Sequence, residues 1–61
     1  MAFKIGKNYK ICLIVFGHTL TYSCTVLGED SNFITFKDKF EKEYNYNKNC
    51  IISFEEKKDG Y

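Results

Sequence analysis

The feature that most constrains this chain is residues 19–26, where Leu20, Tyr22, Cys24 and Val26 alternate without a break with Thr19, Thr21, Ser23 and Thr25. Successive side chains of a strand leave opposite faces of the sheet, so strict alternation predicts a half-buried β-strand. On a helix the same apolar positions would be scattered around the cylinder. Threonine adds to the preference, because its branched Cβ restricts χ1 and suits a pleated surface.

Further strands are predicted on both sides of it. Residues 9–16 place Ile11, Leu13 and Val15 on one face and Cys12, Ile14 and Phe16 on the other. Both faces are apolar, so this strand is expected to be covered on both sides or to contact another chain. The run is too short and too rich in β-branched residues for a buried helix. Gly17-His18 is the expected hairpin turn, glycine supplying the positive φ. The strand at 19–26 has room to continue to Gly28, where glycine permits a bulge or a sharp bend. Residues 29–32, Glu-Asp-Ser-Asn, form a polar turn, followed by a third strand at 33–37 with Ile34 and Phe36 opposed to Phe33 and Thr35. Residues 38–42 connect it to a fourth strand at 43–47, with Phe40 expected as a partly covered anchor of that loop. Lys48-Asn49 turns the chain into a fifth strand at 50–54. Residues 1–8 form an arm or short edge strand around Phe3 and Ile5, and residues 55–61 a charged tail. The expected domain at 9–54 is all-β, a small five-stranded and strongly bent antiparallel barrel, since closure hides edge strands.

Composition narrows the function. A chain of 61 residues is one domain at most, and chains of this size bury only about 60% of the surface exposed on unfolding. Six Phe and five Tyr are more aromatic area than such a chain easily buries alone, which points to self-association or a bound partner. Net charge is +1, and all nine basic residues are Lys, so recognition built on bidentate Arg forks is not expected. Cys12, Cys24 and Cys50 are odd in number and widely spaced. That fits reduced thiols in or near the core of a cytoplasmic protein better than a disulfide framework or a zinc site. The apolar run at 11–16 follows two lysines like a secretory start, but it is about half a bilayer span and no small-residue cleavage site follows it. No membrane role, metal, cofactor or catalytic constellation is expected.

The order of elements resembles the Sm-like family, including bacterial Hfq. The likeness is carried by Ile14-Val15-Phe16-Gly17 leading into the alternating strand, by the turn at Asp30, and by the stretch from Tyr46 through Asn47-Lys48-Asn49 to Phe54. It covers residues 9–54. In place of the family's opening helix there is only the short segment containing Gly6, and Ser23 or Cys24 stands where the family has a glycine. The resemblance implies a small bent barrel that assembles into a ring and binds single-stranded RNA, held here by His18, Tyr46, Lys48 and Asn49. The same strand pattern also fits SH3-like barrels of small phage and plasmid proteins, which would dock on a host protein.

Each of these positions also has a plainer role. Tyr44 and Tyr46 can serve as stacking platforms for bases, or can line the core with hydroxyls at its edge, as period-two aromatics do on any barrel strand. A single histidine such as His18 is usually a solvated turn residue, and Glu29-Asp30 suits a turn better than paired acid–base chemistry. The lysines at 37, 39 and 42 are interleaved with acids and compensate one another.

Overall fold

The structure, a computed structural model, describes residues 3–57. Five strands, β1 (Asn8–Val15), β2 (His18–Glu29), β3 (Phe33–Asp38), β4 (Glu43–Asn47) and β5 (Ile51–Glu56), form one antiparallel sheet in the order β4-β3-β2-β1-β5. The one helical element among the described residues is a 3₁₀ turn at Lys48–Cys50 between β4 and β5. No ladder joins β4 to β5 among the described residues, so the paired sheet ends at those two strands. No helix among the described residues is long and apolar enough to cross a membrane.

The alternation read from the sequence sets the inner face. Tyr9, Ile11 and Leu13 of β1, Cys24 and Val26 of β2, and Ile34 and Phe36 of β3 are buried together with Phe3. The N-terminal segment is an ordered arm rather than a strand. The Gly6 N–H donates to the Val26 carbonyl at 2.7 Å and the Val26 N–H donates to the Lys7 carbonyl at 3.1 Å. This fixing lets Phe3 close one end of the core against Tyr9 and Phe54, with ring centroids 5.1 and 4.5 Å away. The three cysteines are free thiols. Burial pushes the Cys24 thiol up to about 11, and its Sγ lies 3.6 Å from the Tyr9 carbonyl. A buried thiol is inert because the reactive thiolate is disfavoured there.

Three expectations are corrected. The first hairpin turns at Phe16-Gly17, not Gly17-His18: Val15 pairs with His18, and both central residues have positive φ, 51° and 78°. A two-residue hairpin needs this pattern to match strand twist, and Asn-Gly is its usual sequence. Phenylalanine in the left-handed region costs about 1–2 kcal/mol. Second, of the two alternatives for β1, cover on both faces or contact with another chain, the first is not met among the described residues: Ile14 is exposed, and so is Phe16 just past the strand, at 96%. Third, Phe40 is no loop anchor. Asp38 Oδ1 accepts the N–H groups of Phe40 and Lys42, at 2.9 and 3.0 Å, and this loop turns the Phe40 ring to solvent beside the Lys39 ammonium.

Of the charged tail, Glu55 and Glu56 belong to β5, and the Lys57 N–H donates to the Asn8 carbonyl at 2.8 Å. The rest of that segment lies outside the described residues.

Candidate functional site

The bulge in β2 organises the chemistry of this molecule. Val26 pairs with Phe36, but Gly28, not Leu27, pairs with Thr35, and Glu29 pairs with Ile34. Without the extra residue, simple alternation would put Glu29 on the outer face. One residue of slip moves a side chain to the opposite face. Glu29 therefore points inward beside Ile34, and its side chain is only 2% exposed. Its Oε1 accepts the Phe3 N–H at 3.2 Å, and its Oε2 is paired with the Lys48 ammonium. Lys48 reaches it from the 3₁₀ turn, whose first N–H donates to the Asn32 carbonyl at 2.8 Å.

This pair forms one wall of a pocket of about 500 Å³ whose other lining includes Phe3, Ile51, Ile52 and Phe54. Among the described residues the pocket is thus mostly apolar, and Glu29 and Lys48 on its wall are paired with each other. The turns at 30–33 and 47–50 meet beside it. Asp30 Oδ1 accepts the N–H groups of Asn32 and Phe33, at 2.8 and 2.7 Å, and Asn47 Oδ1 accepts the Asn49 N–H at 2.8 Å.

Tyr46 lies elsewhere, on the inner side of the sheet. It belongs to an aromatic cluster with Tyr22, Phe36 and Tyr44, and it stacks 5.9 Å from Phe36 and 6.1 Å from Tyr44. Its hydroxyl shares a 3.1 Å hydrogen bond with that of Tyr22. That bond, then burial, hold the Tyr22 phenol well above its ordinary range. Burial likewise raises the Tyr44 phenol, which donates to Asp38 Oδ2 at 3.0 Å. His18 begins β2 beside the hairpin tip, exposed and paired with Val15. The structure therefore brings Lys48 and Asn49 into one turn, whereas Tyr46 is in the cluster and His18 is at the hairpin. Glu29, its side chain 2% exposed, is the residue that sequence reasoning assigned to a turn. Gly28 was the available signal, since a bulge there reverses the facing of everything after it.

The polar groups of the turns titrate below their ordinary range. Asp30 is lowered by the N–H groups of Asn32 and Phe33. For Asp38, desolvation pushes upward, but the N–H groups of Lys42 and Phe40 and the Tyr44 hydroxyl together outweigh it. A carboxyl with a lower value folded than unfolded stabilises the fold above the ordinary aspartate range, near pH 4, and loses that contribution as pH falls through the folded value. The thermal midpoint is expected to fall on acidification below about pH 4. The double variant Asp30→Asn, Asp38→Asn should show a shallower fall over that window; an unchanged acid slope would refute the assignment.

No protein-family model matches this sequence, and no curated protein or solved structure matches it either.

Proposed function

We propose that this chain is a non-enzymatic binding module, a bent five-stranded sheet of the small SH3-like or Sm-like barrel kind, whose copies join through the open edges of β4 and β5. The observation that carries this reading is that, among the described residues, neither outer strand has a ladder partner on its far side, while apolar side chains stand exposed on or beside them: Ile52 and Phe54 on β5, Phe33 next to β4. An uncovered edge of this kind is a template for pairing with another strand. Three of the acids described are committed to structure. Asp30 and Asp38 hold turns and Glu29 is held by Lys48, which fits a scaffold better than acid–base chemistry.

The ladder geometry indicates how to test the edge. The Asp38 N–H donates to the Lys42 carbonyl and the Lys48 N–H donates to the Asn32 carbonyl. By the alternation of an antiparallel pair, Tyr44 and Tyr46 then direct their N–H groups to β3, and Asn45 directs its own outward. Asn45→Pro removes an outward donor and spares the β3–β4 ladder, a position where proline is tolerated. Light scattering after size-exclusion chromatography is expected to show an oligomer for the wild type and a folded monomer for Asn45→Pro. A wild-type chain that is monomeric at every concentration would defeat the reading.

A second reading, single-stranded RNA, has one specific support. The joined turns put the exposed Asn32 and Asn49 amides at one end of the sheet, where amides can read base edges. Adding a labelled single-stranded oligonucleotide to the same chromatography separates the two: salt-sensitive co-elution supports RNA, and its absence at low salt removes it.

A further inference from the structure

The β1–β2 hairpin differs from the rest of the surface. No Asp, Glu, Lys or Arg occurs between Lys10 and Glu29, although 28% of the chain is charged. The tip also runs beyond its neighbours: the β5 ladder on β1 stops at Leu13, and the β3 ladder on β2 starts at Cys24. At the end of this uncharged projection sits Phe16, nearly fully exposed, in a left-handed conformation that disfavours it. Asparagine would suit the same turn better and would be more soluble. A residue that harms both the turn and the surface is explained by a contact made outside the folded chain.

The same chain carries a receptor of matching character. The pocket beside Phe3, Ile51, Ile52 and Phe54, about 500 Å³, is mostly apolar, and among the described residues that line it the charged ones, Glu29 and Lys48, are paired with each other. An apolar cavity of about 150 Å³ already admits a benzene ring. Phe16 does not occupy this pocket in its own chain, being exposed to solvent. With a net charge of only +1, copies do not repel one another strongly.

We propose that the Phe16 ring of one copy inserts into the Phe3–Ile52–Phe54 pocket of the next, a head-to-tail contact that specifies how copies of this chain follow one another. It rests on the self-association proposed above and adds a knob and a socket to it. Knob and socket are different surfaces, so the contact is heterologous and propagates into a ring or a filament.

Complementation tests it. Phe16→Asn removes the knob, and Ile52→Asp puts a charge at the rim of the socket, on a residue already half exposed. Each variant alone is expected to associate at least about tenfold more weakly than the wild type, as for a hot-spot aromatic. An equimolar mixture is expected to associate more tightly than either variant alone, because one intact knob and one intact socket remain. At a dilution where the wild type is dissociated, Phe16→Asn should also raise the thermal midpoint, by about 5 °C for a chain this size. If the wild type associates and Phe16→Asn associates equally well, the knob is refuted while edge pairing stands. If the wild type never associates, both fall. A mixture that associates no better than the single variants also overturns the proposal.

Discussion

Phe36→Ala is expected to leave the chain largely unfolded. Phe36 is fully buried at the centre of the aromatic cluster, its ring 5.2, 5.6 and 5.9 Å from those of Tyr22, Tyr44 and Tyr46. It also pairs with Val26 immediately before the bulge, so it supports the strand where that strand changes register. Truncating a buried phenylalanine costs about 3–5 kcal/mol, since the surroundings relax only partly around the cavity. A domain of this length has about 3–9 kcal/mol in total. Urea titration followed by circular dichroism should find the variant with little or no folded baseline. Phe36→Leu, which keeps most of the volume, should retain a cooperative transition. A variant truncated to alanine that unfolds within about 1 kcal/mol of wild type would mean that the tyrosines hold the cluster without it.

The second large effect concerns the Glu29–Lys48 pair, and its test is asymmetric. Lys48→Met removes the ammonium from beside a carboxylate that is 2% exposed and whose other oxygen accepts the Phe3 N–H. Stranding a buried charge costs several kcal/mol; because Lys48 itself is partly open to solvent, about 2–3 kcal/mol is expected. Replacing both partners, Glu29→Leu with Lys48→Met, removes the stranded charge and should recover most of that loss, as apolar replacements of buried pairs do. A double-mutant cycle in urea, at low and high salt, reads the coupling. Additive single effects would show that the pair is not coupled in solution.

Much of this fold is legible in the alternation of apolar and polar residues. The faces of β1, β2 and β3 follow it, and the polar turn at Asp30 follows from the local hydrogen bonds of its side chain. Gly28 also marks the bulge. The consequence of the bulge is harder to see, because alternation places Glu29 outward and only the slipped ladder turns it inward. Lys48 suffers the same way: read along the chain it is a free turn cation available to phosphate, whereas in space it is committed to Glu29. The first turn shifts by one residue because phenylalanine is an unfavourable occupant of a left-handed position, and local preference points away from it. Propensity describes what a segment prefers alone. Ladder register and a distant ion pair are decided by parts of the chain remote in sequence.

The position of β1 between β2 and β5 has a kinetic consequence. Strands β1 to β4 are joined by short hairpins and can zip locally, one against the next. The remaining edge of β1 is filled by β5, with Tyr9 opposite Glu56 and Ile11 opposite Phe54, nearly the whole length of the described chain apart. Closing so long a loop is entropically slow, so docking of β5 is the late event in forming the native sheet. The reverse step, peeling β5 away, opens the molecule and uncovers the apolar side chains at its flank.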